Sequence, residues 1–248
     1  MTPGGKDNVS LDPTDPDLDV TVDRTPTVLL LDTSESMSSE SVGSDGISKQ
    51  NIDRLNEGLD LFKDEVLGLE HASDRVDVGV VEFGGGASVR TDFTHIKGWT
   101  PPTMNASGKT PMAKAIERAI DMAEEAKSFY AENGIPYNRP LLWLLTDGKP
   151  TDMNRGDDIW NQVQQQLKRG TEKKHFRFFA MGVGEADMET LNALVEPTNR
   201  PALKVKEGMF AEYFEFLSNS LEDVSKEEGS PDKVGDVDKI QKFAELNE

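Results

Sequence analysis

Thr27-Val28-Leu29-Leu30-Leu31-Asp32-Thr33-Ser34-Glu35-Ser36 is a short apolar run that stops abruptly on a carboxylate and hydroxyls. An unbroken run of apolar and β-branched residues reads as a strand buried on both faces, the kind found inside a parallel sheet. Such a strand delivers Asp32, Ser34 and Ser36 to one point in space. Two readings fit these residue types: a cap for the following helix, or a cluster of hard oxygen ligands of the kind that suits Mg²⁺ or Mn²⁺. The rest of the chain has to decide between them.

A second run of the same kind, Leu141-Leu142-Trp143-Leu144-Leu145-Thr146, also ends in a carboxylate, Asp147. Between and beyond the two, strand and helix patterns alternate. Apolar residues at Ile52, Leu55, Leu59 and Phe62 mark an amphipathic helix over Ile47–Leu69. Arg75–Phe83 reads as a strand, and the Gly84-Gly85-Gly86 turn folds it back as a hairpin onto Ala87–Phe93. Thr110-Pro111 opens a helix to Ala131, Asp157–Lys168 and Met188–Val195 are helical, Phe176–Val183 and Ala202–Val205 are strands, and Phe210–Val224 is a last amphipathic helix. Alternation of this kind predicts an α/β fold of three layers, a mostly parallel Rossmann-like sheet with one antiparallel edge strand and helices on both faces.

In such sheets ligands bind beyond the carboxyl ends of the strands, where the strand order reverses. With the order 3-2-1-4-5-6 the reversal falls between the strand ending in Asp32 and the strand ending in Asp147. Asp32, Ser34, Ser36, Thr110 and Asp147 then offer five oxygen side chains from three loops. Octahedral Mg²⁺, at roughly 2.1 Å, needs six oxygens, some from water. Thr110 also has the residue type of a helix cap, and Asp147 that of a turn residue in Asp147-Gly148-Lys149-Pro150.

These residues carry a resemblance. Asp32-x-Ser34-x-Ser36, Ser107-Gly108-Lys109-Thr110-Pro111 and Leu144-Leu145-Thr146-Asp147-Gly148 resemble the von Willebrand factor A (VWA) domain and its metal-ion-dependent adhesion site, over about residues 25–225. Thr146-Asp147-Gly148-Lys149-Pro150-Thr151-Asp152, Met181 to Asp187 and Glu212-Tyr213-Phe214 look closer still to the TerY-type branch associated with tellurium resistance. The resemblance implies that Asp32, Ser34 and Ser36 are metal ligands, with Thr110 and Asp147 completing the site directly or through water. It implies a binding and scaffolding module, not an enzyme, in which Mg²⁺ or Mn²⁺ bridges to an acidic residue of a protein partner. It also implies a stress-response setting with a kinase and a phosphatase. Glu35 stands where many members have glycine, an added carboxylate beside the metal.

The enzymatic alternative is a haloacid-dehalogenase-type phosphatase, which also places an Asp after its first strand with Mg²⁺ beside it. Such enzymes resemble Asp-x-Asp there; the third position here is Ser34, so the general acid is missing. Gly108-Lys109-Thr110 copies the end of a phosphate-binding loop, but the first glycine would fall at Thr103. Gly182-Val183-Gly184 meets Asp187 where a dinucleotide motif needs its third glycine. His71, His95 and His175 are scattered and suggest no cluster. Trp99 suits either the rim of the site or the core. The serines at 36, 38, 39 and 41 suit either a flexible loop or a phosphorylated one.

Composition sets the outer limits. Acids outnumber bases 46 to 27, a net charge of −19, which disfavours nucleic acid and anionic membrane surfaces. With no cysteine, disulfides and thiolate sites are excluded. Met1–Val20 lacks the pattern of a signal peptide, and no apolar run approaches the roughly 20 residues of a membrane helix. The expectation is a cytoplasmic protein without membrane insertion. The Asp- and Pro-rich stretch 1–24 reads as a disordered acidic leader, 25–225 as the domain, and 226–248 as a charged tail with a weak helix at Val237–Leu246.

Overall fold

Buried along its whole length, strand β1 (Thr25–Asp32) is the axis of the fold. A single 3-10 turn follows at Glu35–Ser38, then a small antiparallel hairpin of β2 (Glu40–Val42) and β3 (Ser48–Gln50). The chain continues through α1 (Asn51–Gly68), the one-turn α2 (Ala72–Arg75), β4 (Val76–Gly84) and β5 (Gly86–His95). Helix α3 (Met112–Glu132), β6 (Leu141–Thr146), α4 (Asp158–Glu172), β7 (Arg177–Gly182) and α5 (Met188–Val195) come next. β8 (Leu203–Val205), α6 (Phe210–Lys226) and the two-residue β9 (Ala244–Glu245) end the series. This computed structural model describes residues 10–12, 14, 18–43, 45–206 and 208–226, with the backbone alone at 244–245.

The main sheet has seven strands in the order β5-β4-β1-β6-β7-β8-β9. Strands β4, β1, β6, β7 and β8 run parallel, β5 returns antiparallel on one edge, and β9 lies antiparallel on β8 at the other. The first six strands of the sheet thus take the 3-2-1-4-5-6 order, with its reversal at the β1–β6 pair. Side chains alternate across a strand, so β1 feeds two cores. Leu29 and Leu31 pack under α1 and α6 with Leu55, Phe62, Phe214 and Leu221. Val28 and Leu30 pack under α3, α4 and α5 with Ile116, Met122, Leu167 and Leu191. Strand β6 splits the same way, Leu141, Trp143 and Leu145 to one side, Leu142 and Leu144 to the other.

Three stretches depart from the sequence reading. The helix expected from Ile47 starts at Asn51, because residues 48–50 pair with 40–42. The Ser41 hydroxyl donates to Asn51 Oδ1 at 2.7 Å and the Arg54 guanidinium donates to the carbonyls of Ser41 and Ile47, tying the hairpin to the first turn of α1. Against the expectation of a disordered leader over 1–24, Leu11 and Leu18 are buried in the α3-side core, and Ser10 N–H donates to Phe93 O at 2.9 Å. Two leucines among many aspartates leave little trace in composition, yet each removes apolar surface from water. Of the expected tail, Ala244–Glu245 is strand, while the rest of the weak helix at Val237–Leu246 lies outside the described residues, as do positions 1–9, 13 and 15–17.

At the amino end of the parallel strands sits a fully buried ion pair. Arg24 Nε donates to Asp77 Oδ2 at 3.0 Å and its Nη2 to Oδ1, while the Tyr130 hydroxyl donates to Oδ2 at 2.7 Å. Burial pushes the Asp77 carboxyl up, but bonds from His95, Arg24 and Tyr130 outweigh it and hold it below the usual range. Removing one partner strands the other charge in the core. Asp77→Ala should therefore lower stability by about 3–5 kcal/mol, read from the urea midpoint at unchanged slope. A loss below about 1 kcal/mol would mean that Arg24 reaches solvent in the variant.

Candidate metal centre

Three loops meet beyond the carboxyl ends of β1 and β6, which are paired in register at Leu31 and Leu145. Backbone hydrogen bonds stitch them together. Ser107 N–H donates to Thr33 O at 2.7 Å, Glu35 N–H to Gly108 O at 3.0 Å, and Thr151 N–H to Thr110 O at 2.9 Å. Gly108 has φ +74°, and a Cβ there would lie 2.4 Å from Gly85 Cα, so only glycine allows the second loop to close against the β4–β5 turn.

All five oxygen side chains singled out in the sequence arrive at this junction. Asp32 Oδ1 accepts from Ser34 N–H at 2.8 Å, and Oδ2 accepts from the Thr146 hydroxyl. Ser34 Oγ lies 3.0 Å from Ser36 Oγ, which donates to Asp147 Oδ1 at 2.6 Å. Thr110 comes in from the second loop. A Cβ placed on Gly148 would lie 3.3 Å from Thr110 Oγ1 and 3.9 Å from both Asp32 Oδ2 and Ser36 Oγ, so the glycine leaves open a point within 4 Å of three of the five oxygens.

The electrostatics are unbalanced. Asp32 is fully buried and Asp147 nearly so, and among the described residues neither has an ion-pair partner. Burial, with Asp147 adding to it, pushes the Asp32 carboxyl up to about 6 against the bonds from Thr146 and Ser34. Burial likewise raises Asp147 against the bond from Ser36. Two carboxylates and three hydroxyls, with no nitrogen or sulfur donor, form a set that fits a hard divalent cation. Asp32, Ser34, Ser36, Thr110 and Asp147 are the residues able to hold one.

The capping alternatives resolve against caps. Ser34 makes no side-chain capping bond to the 3-10 turn. Thr110 does not cap α3 either, since the Asp152 carboxylate takes the Ala113 and Lys114 N–H groups at 3.1 Å each. Trp99 is core, edge-on to Phe62 with ring centroids 5.9 Å apart. The histidines serve elsewhere: His71 at Glu222, His95 at Asp77, His175 at Glu124. Sequence reasoning missed Thr146, which orients Asp32, and Asp152, which couples the third loop to the second. The Thr146-Asp147-Gly148 and Thr151-Asp152 motifs were visible signals for both. A cleft of about 350 Å³ opens beside the site and shares Ser36 and Asp147 with it.

A family model for the von Willebrand factor type A domain matches residues 27–216. No curated protein matches the chain in sequence. Among solved structures the chain is similar to the conserved hypothetical protein BatB from Bacteroides thetaiotaomicron, at TM-score 0.51 and 16% identity, over 82% of this chain and 100% of that one. It is similar to the ArnB paralog VWA2 from Sulfolobus acidocaldarius, at 0.53 and 14%, over 81% of this chain and 46% of that one. The PilB minor pilin from Streptococcus sanguinis gives 0.54 and 12%, over 84% and 64%. The chain thus spans only part of the last two, and likeness at these identities shows the fold alone.

Two outcomes follow from the geometry. Asp152→Ala should cost about 1–2 kcal/mol through the lost helix cap, measured by thermal unfolding; no change would mean water replaces the carboxylate at α3. With chelator present, the raised Asp32 carboxyl binds its proton more tightly in the folded chain than in the unfolded one. Its contribution to stability is therefore full below about pH 4 and is lost as pH rises through about 6. Between pH 4 and 7 the stability of wild type relative to Asp32→Asn should fall by up to about 3 kcal/mol, and parallel pH profiles would refute this.

Proposed function

The chain belongs to the von Willebrand factor type A domain family, whose members generally mediate protein interactions, and from that premise we propose that it holds one Mg²⁺ or Mn²⁺ and through it binds a protein partner. The ligands in this reading are Asp32, Ser34, Ser36, Thr110 and Asp147. The observation that carries it is the pair of buried carboxylates, Asp32 and Asp147, that share one junction without a cationic side chain. A buried carboxylate demands a counter-charge or a proton, and a divalent cation meets that demand for both at once. When bound, such a cation supplies an open coordination position for a carboxylate from outside.

This proposal assigns no reaction to the chain. Ser34, standing where a phosphatase of the haloacid-dehalogenase type would carry its second aspartate, supports that choice. The finer placement rests on the TerY-type motifs at Thr146–Asp152, Met181–Asp187 and Glu212–Phe214: a cytoplasmic scaffold in a tellurium-resistance-like stress response, working with a kinase and a phosphatase. Residues 25–225 would be the binding domain. Among the described residues no helix is long and apolar enough to cross a membrane.

Thermal unfolding with Mg²⁺ or Mn²⁺ at matched ionic strength tests the site, because any cation screens a chain of net charge −19. At a metal concentration of about 100 Kd, wild type should gain about 2.7 kcal/mol and Asp32→Ala only the screening contribution. Equal gains in both would sink the metal reading. A pull-down with and without chelator then tests whether partner capture follows the metal.

A further inference from the structure

The cleft beside the five oxygens is larger than one carboxylate needs. At about 350 Å³ it has the volume of a small-ligand pocket. Ser36 and Asp147 belong to both the cleft and the candidate metal centre, so the cleft adjoins the place where an outside carboxylate would meet the cation. The cleft is lined in part by β8 and the residue after it, where Lys204 and Lys206, two apart, project from one face of the strand. They are the two cationic side chains on a lining that also carries Glu40, Asp147 and Glu185, and of those three carboxylates Asp147 is the one turned to the candidate metal centre.

The lining also carries an amide donor, Asn51. Asn51 is 5% exposed, and its Oδ1 accepts from the Ser41 hydroxyl. Its Nδ2 donates to nothing among the described residues and lies 3.7 Å from where a Cβ of Gly184 would stand, a space that the glycine leaves open. An amide donor that opens onto a cleft can take an acceptor from a ligand seated there. Of the three acids on the lining, Asp147 belongs to the candidate metal centre, Glu40 already accepts from the Ser48 hydroxyl at 2.8 Å, and Glu185 is exposed.

We propose that this cleft seats the stretch of an acidic partner next to its metal-bound carboxylate, with Lys204 and Asn51 receiving a second carboxylate. The proposal rests on the metal reading above and adds to it the partner's chemistry: two acidic side chains a few residues apart. The first supplies affinity through the cation. The second supplies discrimination, since a partner with one acid leaves the Asn51 amide and the Lys204 ammonium without a ligand.

Three capped peptides test it: Gly-Asp-Gly-Gly-Gly, Gly-Asp-Gly-Glu-Gly and Gly-Asp-Gly-Lys-Gly, titrated by NMR into the full chain in saturating Mg²⁺. The peptide with two acids should bind about three- to tenfold more tightly than the one-acid peptide, and the lysine peptide more weakly than both. Lys204→Gln should remove the preference and Lys204→Glu reverse it, with Mg²⁺ affinity by calorimetry unchanged in both variants. A two-acid peptide that binds no better than the one-acid peptide, or a preference that survives Lys204→Glu, overturns the proposal while leaving the metal site intact. Tighter binding of the lysine peptide assigns the cleft to a basic segment and also overturns it. A wild-type chain that takes up no Mg²⁺ fails at the earlier step and removes both readings together.

Discussion

The parallel pairing of β1 with β6 governs the rest of the molecule. Both strands are buried on both faces, and both end at the same level of the sheet, one at Asp32 and the other just before Asp147. Pairing two apolar strands in register removes their apolar surface from water, and with it the freedom to choose where the next residues go. Two carboxylates are thereby carried into a protected junction that neither would enter alone. The neighbouring loops are then obliged to supply polar partners, which they do with hydroxyls and backbone amides.

The two ends of the sheet handle buried charge in opposite ways. At the amino end, Asp77 is neutralised by Arg24 and satisfied by Tyr130, and its carboxyl is held low. At the carboxyl end, Asp32 and Asp147 receive only neutral donors, and both carboxyls are raised. The first arrangement is closed: every charge has its opposite, and its work is to hold residues 24, 77, 95 and 130 together. The second is open: its imbalance is relieved by a proton or by a cation from outside. The same residue type is thus charge-paired at one end and left without a counter-charge among the described residues at the other, and the difference lies in what the flanking segments bring to meet it.

The loops around the open end are positioned by backbone more than by side chains. The Thr33–Ser107 and Glu35–Gly108 bonds hold the first two loops edge to edge, and Asp152 ties the third to the start of α3. That division leaves the hydroxyls of Ser34, Ser36 and Thr110 free of structural capping duties. It also sets the cleft, which is lined in part by Lys204 and Val205 of β8, a strand of the main sheet.

How much of this was legible in the sequence depends on how far apart the interacting residues are. The apolar runs at 27–31 and 141–146, the carboxylates that end them and the helix stripe at Ile52–Phe62 were readable because burial on both faces and a 3.6-residue period leave local patterns. From these the strand order and the five oxygen residues followed. The β2–β3 hairpin was not readable: its strands are three residues long, and the single apolar Ile47 before Asn51 extends the helix pattern backwards. Leu11 and Leu18 were hidden by their acidic surroundings. The motifs around Thr146 and Asp152 were visible, but their roles depend on partners 114 and 39 residues away, Asp32 and Ala113, and no local pattern names such a partner. The sequence by itself determined which residues are apolar, which strands they make and which oxygens stand at the strand ends. Only the tertiary structure decided which of those oxygens are spent on capping and which are left facing one another, because that depends on where the chain closes on itself.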